Sequence, residues 1–267
     1  MIKAIALDMD NTLLNNAKKI SFKNQMILKK LHQQGLKIIL CSGRPIDGIY
    51  PYLEELGLLK PQDACICFNG GLVALTASKQ KIATTTLLPN DFRPIFDLTK
   101  KEHFIFYLVS EHKVYAMLQD PNVSPYEEQM GKYLSFINTK FDQIPPRTPI
   151  YKAVIIDTPV KIAELGKQIK KTHCFHVTRS RSTFLEILPL QVNKANGLKA
   201  LLNYFKIKNS ELIAFGDEAN DQEMIQYAGI GVAMANAIPE LKKIANQITS
   251  TNEEDGVANF LKQYFKI

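Results

Sequence analysis

Three clusters of polar residues in this sequence each come directly after a short apolar run. The clusters are Asp8-Met9-Asp10-Asn11-Thr12, Ser42-Gly43-Arg44 and Gly216-Asp217-Glu218-Ala219-Asn220-Asp221. The runs before them are typical of strands that are buried on both faces of a parallel sheet. Because ligands bind beyond the carboxyl ends of the strands in such sheets, we expect the three clusters to converge.

Several carboxylates gathered at one point repel each other unless protons or a cation neutralise them. A divalent ion with oxygen ligands, Mg²⁺, is the simplest solution. Lys194 and Ser42 would then supply donors for an anion beside the metal. The backbone amides of the loop from Asp8 to Thr12 could add further donors to that anion.

The segments between the clusters predict the elements that position them. Ser21 to Gln34 has apolar residues at helical spacing, with Ser21 as the N-cap and Gly35 as the stop. This helix lies between the first two strand-like runs and forms a strand-helix-strand unit with them. Repeated units of this kind predict an α/β fold, a doubly wound, Rossmann-like parallel sheet.

The middle of the chain has a different pattern, which begins after the turn Asn69-Gly70-Gly71. Short strand-like segments there alternate with two predicted helices, around Asp91 to Lys101 and from Val160 to Lys171. One strand-like segment runs from Val114 to Leu118. We therefore predict a discontinuous core domain, 1–84 and 189–267, with an inserted α+β domain at 85–188.

The polar clusters and Lys194 together resemble the four motifs of the haloacid dehalogenase superfamily of phosphohydrolases. The motifs in this chain are Asp8-x-Asp10-x-Thr12, Ser42-Gly43-Arg44, Lys194 and Gly216-Asp217-x-x-Asn220-Asp221. The large insert between the second and third motifs resembles the α/β cap of the Cof-like branch. The turn at Asn69-Gly70 resembles that branch's Asn-Gly turn.

The resemblance implies a phosphomonoester hydrolase that works through an aspartyl-phosphate. Asp8 would be the nucleophile, and Asp10 would protonate the leaving oxygen and later deprotonate the water. The metal, Mg²⁺, would be bound by Asp8, Asp217 and the backbone carbonyl of Asp10. An inserted cap would close over the substrate and exclude water.

The resemblance also implies roles for the remaining motif residues. Phosphate oxygens would be held by the Met9 amide, Ser42, Gly43, Lys194 and Asn220. Asp221 would orient the metal and phosphate ligands, and Asn11, which stands where the motif usually has Gly, must tolerate a tight turn. Contacts to the rest of the substrate would come from Arg44, Asn69 and Gly70.

Several of these residues also have ordinary structural explanations. Ser42 could be the N-cap of a helix after Pro45, and Arg44 could pair with a surface acid instead of substrate. We interpret His173-Cys174-x-His176 as incidental, because it lacks a second half-site for a metal. A run of basic residues between positions 167 and 181 is interpreted as a solvated helix face, or as a source of positive potential that attracts phosphorylated substrates. The run consists of Lys167, Lys170, Lys171, Arg179 and Arg181.

The composition of the 267 residues, with 46% hydrophobic and 22% charged residues, excludes disordered, collagen-like and low-complexity classes. The net charge of +7 is a mild excess, which suits an anionic partner. The four cysteines lack zinc spacing and predict free thiols in a reducing compartment. No apolar stretch is long enough to span a membrane, so we expect a soluble, cytoplasmic protein.

The sequence thus predicts a phosphatase whose partner is a small phosphorylated metabolite, such as a sugar phosphate or a phosphorylated cofactor, without nucleic acid or membrane. Whether it is a monomer or a small homo-oligomer stays open. One alternative is a phosphotransferase or phosphomutase, which passes the phosphoryl group to a second hydroxyl. The other is a non-catalytic regulatory protein that binds a phosphometabolite. We expect a protein of that kind to lack Asp8 or Asp10.

Overall fold

The computed structural model describes residues 1–100, 103–117 and 125–267. Lys101 and Leu118, the predicted ends of a helix and a strand, lie outside the described residues. The described chain divides into two compact units, residues 1–84 with 193–267 and residues 85–192.

The strands are β1 (Ala4–Asp8), β2 (Lys37–Cys41), β3 (Ala64–Cys67), β4 (Leu72–Leu75), β5 (Lys81–Thr84), β6 (Ile105–Val109), β7 (Lys113–Ala116), β8 (Ser135–Asn138), β9 (Lys152–Ile156), β10 (Phe175–Arg181), β11 (Phe184–Pro189), β12 (Leu212–Gly216), β13 (Ile230–Ala233) and β14 (Gln247–Ile248). The α-helices are α1 (Phe22–Gln33), α2 (Ile46–Leu56), α3 (Arg93–Lys100), α4 (Pro125–Met130), α5 (Pro159–Lys170), α6 (Lys194–Phe205), α7 (Gln222–Tyr227), α8 (Pro239–Ile244) and α9 (Gly256–Phe265).

The first unit is built on an eight-stranded sheet in the order β14-β13-β12-β1-β2-β3-β4-β5. The strands from β14 to β3 pair in parallel, and β4 and β5 continue the sheet antiparallel. All residues of β1 and β12 are buried, as expected for central strands of a parallel sheet. The predicted doubly wound α/β fold is confirmed.

Helix α1 shows how closely the local sequence sets an element of this unit. The Ser21 hydroxyl accepts a hydrogen bond from the Asn24 backbone N–H at 3.2 Å, so Ser21 is the N-cap as predicted. The buried residues Ile27, Leu28 and Leu31 lie on one face of the helix. The helix ends just before Gly35, whose φ of +94° suits a residue without a side chain.

The second unit is an α+β arrangement on a six-stranded sheet in the order β10-β11-β9-β6-β7-β8. Neighbouring strands are antiparallel except β7 and β8. Alternate residues of the sheet form an apolar core with residues of α3 and α5, among them Ile95, Ile162 and Leu165. The prediction did not include β8, β10 or α4.

Strand β10 was missed because its sequence does not resemble a buried strand. It lies at the edge of the sheet, where Arg179 and Arg181 are exposed and Val177 is buried. The two arginines therefore belong to an edge strand and not to a helix face, a correction to their grouping with the lysines of α5. In the described part of the chain, no helix combines the length and the apolar character that crossing a bilayer requires.

A left-handed turn connects β3 to β4 in the first unit. Phe68, Asn69 and Gly70 have φ values of +50°, +54° and +102°. A Cβ atom on Gly70 would lie 2.2 Å from the backbone oxygen of Asn193, at the start of α6. Gly70 is therefore required both by its backbone angle and by this close approach.

We predict that Gly70→Ala destabilises the protein far more than Gly35→Ala. Gly35 also has a positive φ, but a Cβ there meets nothing within 4 Å. Gly35→Ala should therefore cost about 1–2 kcal/mol of backbone strain, and Gly70→Ala about 1–3 kcal/mol more for the displaced carbonyl. Denaturant unfolding measures both free energies, and equal losses would show that the Asn193 contact does not constrain residue 70.

Candidate active site

The three polar clusters lie at one edge of the first unit's sheet because their strands are neighbours. Asp8 ends β1, Cys41 ends β2 and Gly216 ends β12. Asp8 pairs with Cys41, and Leu7 pairs with Phe215, the residue before Gly216. The loops that begin at residues 8, 42 and 217 therefore start side by side, as the sequence predicted.

Lys194 joins two of these loops. Its side chain is fully buried, and its ammonium donates to Asp8 and, at 2.6 Å, to Oδ1 of Asp221. Burial alone lowers the pKa of Lys194, but the charges of Asp221 and Asp8 raise it above its ordinary value. Lys194 is therefore an ammonium ion whose hydrogen bonds hold both carboxylates in place.

Lys194 is also the first residue of α6, so the helix positions it. The Asn193 side chain caps this helix by accepting from the Asn196 backbone N–H at 2.8 Å. Ala195 is buried within the first turn. The helix thus begins at the lysine that contacts Asp8 and Asp221.

Carboxylate oxygens of Asp8, Asp217 and Asp221 lie within 4.8 Å of one another. Burial raises the pKa of Asp217 to about 9, with repulsion from Asp8 and Asp221 adding to the effect. Burial also raises the pKa of Asp8 to about 7, although Lys194 acts in the opposite direction. A divalent cation relieves this repulsion, and a set of hard oxygen donors suits such an ion.

The three carboxylates differ in how many oxygens remain available for a cation. Asp221 uses Oδ1 for Lys194 and Oδ2 for the backbone N–H groups of Asp217 and Glu218, at 3.0 and 3.1 Å. Asp217 accepts a hydrogen bond from the Thr12 hydroxyl on Oδ1, at 2.6 Å. Asp8 and Asp217 are therefore better placed to bind a metal ion, and Asp221 orients the loop around them.

The side chain of Asp10 is outside this cluster of three carboxylates. Arg44 donates from Nη2 to Oδ1 at 2.8 Å and from Nε to Oδ2 at 3.0 Å. The Lys18 ammonium lies 2.9 Å from Oδ1. Burial alone raises the pKa of Asp10, but Arg44 and Lys18 outweigh it and lower the pKa to about 2. Asp10 is thus ionised and firmly held.

The structure places Ser42 and Gly43 beside the turn that contains Asn69. The Ser42 hydroxyl accepts from the Arg44 backbone N–H at 3.2 Å, and helix α2 begins at Ile46 with Pro45 as its N-cap. The interpretation of Ser42 as the N-cap of this helix is therefore wrong, because Ser42 lies four residues before the first helical residue and its hydroxyl bonds the Arg44 backbone instead. A Cβ on Gly43 would lie 3.2 Å from the Asn69 side-chain amide.

Asn69 connects the second and fourth motifs. Its side-chain oxygen accepts from the Asn220 amide at 3.1 Å, and its backbone N–H donates to the Ser42 carbonyl at 2.9 Å. Asn69 is buried, and its neighbour Gly70 lies against Asn193. The turn that was predicted to contact substrate thus also ties together the loops that contain Ser42 and Asn220.

The loop after β1 is curled, as two carboxylates with one residue between them require. Met9 is buried, and its carbonyl accepts from the Leu14 backbone N–H at 2.8 Å. Asn11 has a φ of +63°, a conformation that Asn tolerates better than most residues. The Asn236 side chain donates to the Asn11 carbonyl at 2.8 Å, and this hydrogen bond stabilises the turn.

The side chains of three residues at this site received no role from the sequence. Thr12 lies within the first motif, and its position there was an available signal for the contact with Asp217. Lys18 and Asn236 had no such signal, because only the folded chain brings them to Asp10 and Asn11.

Comparisons with known proteins agree with this geometry. A family model described as haloacid dehalogenase-like hydrolase matches residues 5–261. The chain is 33% identical to the YxeH protein of Bacillus subtilis (strain 168) over 265 residues, 98% of each protein. It is 30% identical over 280 residues to 5-amino-6-(5-phospho-D-ribitylamino)uracil phosphatase YitU of the same organism, covering 98% of this chain and 97% of YitU.

Solved structures show the same fold over the whole chain. A haloacid dehalogenase-like hydrolase from Bacteroides thetaiotaomicron superposes with a TM-score of 0.84 at 32% identity, covering 99% of this chain and 100% of the other. The match of both units, together with the four motifs at one sheet edge, identifies the family. The chain belongs to the haloacid dehalogenase-like hydrolases, and it is a phosphatase of their Cof-like branch.

Proposed function

We propose that this phosphatase hydrolyses a small phosphorylated metabolite through an aspartyl-phosphate on Asp8, with Mg²⁺ as its cofactor. The observation that carries the proposal is the buried group of Asp8, Asp217 and Asp221 carboxylates beside the Lys194 ammonium. Buried charges are stable only when charges of opposite sign lie beside them. In the proposed reaction, Mg²⁺ would lie beside the carboxylates and the phosphate of the substrate would lie beside Mg²⁺ and Lys194.

The donor set of the site fits Mg²⁺, which prefers carboxylate and carbonyl oxygens. Asp8, Asp217 and the backbone carbonyl of Asp10 would hold it. When bound, the ion would reduce the repulsion between the anionic nucleophile and the anionic phosphate.

In the first half of the reaction, an Asp8 carboxylate oxygen forms a bond to phosphorus while the bond from phosphorus to the ester oxygen breaks. Asp10 gives a proton to that departing oxygen, so an alcohol leaves. The phosphate oxygens are bound by Lys194, Ser42, the Met9 and Gly43 amides and Asn220. Lys194 already donates to Asp8 and therefore lies beside the atom that attacks.

In the second half, Asp10 removes a proton from water, and the water oxygen attacks phosphorus to release phosphate and free Asp8. The low pKa of Asp10, about 2, keeps it in the ionised form that accepts this proton. The negative charge of a phosphate ester nearby would raise that pKa and favour the protonated form that the first half needs.

The proposed substrate class follows from the site and from the relatives. The motif residues recognise only a phosphoryl group, so Asn69 and Gly70 would help to select the remainder of the molecule. YitU is named for a phosphorylated ribitylaminouracil, and another protein of the same fold is described as a sugar phosphatase. We therefore propose a phosphomonoester of a sugar, a polyol or a related cofactor precursor.

Asp8→Asn should abolish phosphate release, because an amide does not attack phosphorus at a useful rate. The measurement is inorganic phosphate release from a panel of phosphorylated metabolites with Mg²⁺ and with a chelator. We expect a loss of at least about 10³-fold, which is only part of the total acceleration of roughly 10⁶-fold or more that enzymes supply. The control is Asp97→Asn, an exposed carboxyl of the second unit that pairs with Arg93.

The panel also separates hydrolysis from the alternative reactions. Phosphate release without an added acceptor supports hydrolysis, whereas turnover only with a second alcohol would indicate a phosphotransferase. Full activity of Asp8→Asn would exclude the aspartyl-phosphate.

Asp10→Asn should slow substrates with poor leaving groups more than those with good ones. Phenyl phosphate and 4-nitrophenyl phosphate have similar shapes, but phenolate is the more basic leaving group. We expect kcat/KM, which reports the step that expels the leaving group and not the later hydrolysis of the aspartyl-phosphate, to fall by about 10²-fold or more for phenyl phosphate. The fall in kcat/KM for 4-nitrophenyl phosphate should be smaller. Equal losses of kcat/KM on both substrates would count against Asp10 as the acid.

The raised pKa values of Asp8, about 7, and Asp217, about 9, predict a pH-dependent response to Mg²⁺. Their folded-state pKa values lie above the unfolded ones, so the stability they contribute is present at acid pH. It is lost as the pH rises through the folded pKa values. The gain in Tm on adding Mg²⁺ should therefore grow between about pH 5 and about pH 9.

Asp217→Asn provides the control for this measurement. It removes one buried carboxylate, so the metal-free variant should lose less stability at alkaline pH than the parent protein. Its Tm should also respond weakly to Mg²⁺. A Tm gain that is equal at all pH values in the parent protein would contradict the assignment.

A further inference from the structure

We infer that Arg44 and Lys18 are positioning residues for Asp10, which hold its carboxylate in one orientation toward the leaving group. This inference rests on the proposed role of Asp10 as acid and base. It assigns Lys18 a function and gives Arg44 a role other than contact with substrate.

The first argument is that the nitrogens of Arg44 are already engaged. Nε and Nη2 donate to the two oxygens of Asp10, and Nη1 donates to the Gly48 carbonyl at 3.4 Å. A two-point contact between a guanidinium and a carboxylate fixes the plane of the carboxylate as well as its position. To bind substrate, Arg44 would have to give up contacts of this kind.

The second argument is that Arg44 itself is held in place. It is 6% exposed, and its guanidinium lies 5.5 Å from the centre of the Tyr52 ring. Its backbone N–H donates to the Ser42 hydroxyl, and its carbonyl accepts from the Phe68 N–H at 3.1 Å. A fixed arginine can transmit its orientation to Asp10, which a mobile surface arginine cannot do.

The third argument concerns Lys18, which a tight turn presents to Asp10. Lys18 has a φ of +57°, and its backbone N–H donates to the Asn15 carbonyl at 2.8 Å. The Tyr52 hydroxyl donates to the Lys18 carbonyl at 3.1 Å. Tyr52 thus contacts both Arg44 and Lys18, so the two cations that bind Asp10 share one support.

These contacts distinguish the two oxygens of Asp10. Oδ1 receives donors from both Arg44 and Lys18, whereas Oδ2 receives one described donor, the Arg44 Nε. Oδ2 is therefore the oxygen with room to face a leaving oxygen or a water molecule. If Arg44 were absent, the carboxylate could rotate, and misplacement of a catalytic group costs rate even when the group is present.

The test combines Arg44→Met with Asp10→Asn in a double-mutant cycle. We expect Arg44→Met to lower kcat/KM for phenyl phosphate by about tenfold or more, and kcat/KM for 4-nitrophenyl phosphate by less, without raising KM. In the Asp10→Asn background the same substitution should lower kcat/KM by less than about twofold, because the residue it positions is already inactive.

Two further variants make the result independent of folding. Arg44→Lys keeps the charge but loses the two-point contact, so it should restore part of the activity. The Lys18 side chain is 40% exposed, so Lys18→Met should fold, and we expect the same leaving-group pattern with a smaller loss. Arg93→Met is the matched control, since Arg93 is an exposed arginine that also pairs with acids, and it should leave both rates unchanged.

The inference is overturned if Arg44→Met or Lys18→Met lowers kcat/KM by the same factor with Asp10 and with Asn at position 10, or acts mainly by raising KM. Either result would indicate direct contact with substrate. Equal losses of kcat/KM on the two aryl phosphates in the Asp10-containing enzyme would also overturn it. Failure of the proposed function gives a different result, namely turnover by Asp8→Asn, so the two failures are distinguishable.

Discussion

The buried ammonium of Lys194 is the charge on which the rest of the site depends. Without it, no positively charged side chain would contact the buried carboxylates of Asp8 and Asp221. Burying ionised carboxylates without such a partner costs several kcal/mol of folding free energy. Lys194 begins α6, where the helix dipole disfavours a positive charge. The two carboxylates more than compensate for that, and they also explain why a helix can start with a buried lysine at this point.

This charge also constrains the path of the chain. Lys194 lies 186 residues after Asp8, and the whole second unit comes between them in sequence. The chain must therefore return to the first unit at Asn193, which caps α6 with its side chain and approaches Gly70 with its carbonyl. Gly197 supports the same approach, since a Cβ there would lie 3.1 Å from the Gly70 Cα. The left-handed turn thus packs closely against the start of α6. Beside them, Asn69 accepts a hydrogen bond from the Asn220 side chain.

The sequence was informative where a local rule determines the structure. The apolar runs predicted the parallel strands, and Ser21 with Gly35 predicted the limits of α1 to within a residue. Features that depend on distant partners were not predictable in the same way. Thr12 and Asp217 are separated by 205 residues, and nothing local to Lys18 indicates that it reaches Asp10. Ser42 shows the opposite error, because a residue typical of a helix cap is used here to bond the Arg44 backbone in the turn before the helix.

The aspartates of this site show how one residue type is given different properties by its surroundings. Asp8 and Asp217 are buried near other carboxylates, and their pKa values are raised to about 7 and about 9. Asp10 is two residues from Asp8, yet Arg44 and Lys18 lower its pKa to about 2. Separated environments of this kind are what a reaction with a nucleophile, a metal ion and an acid–base group requires. Arg44 and Lys18 lower the pKa of Asp10, whereas burial raises the pKa values of Asp8 and Asp217. In the proposed reaction, the curled loop at Asn11 would therefore do more than bring two carboxylates to one phosphate. It places them in two electrostatic environments, so that in the proposed reaction each can do a different part of the chemistry.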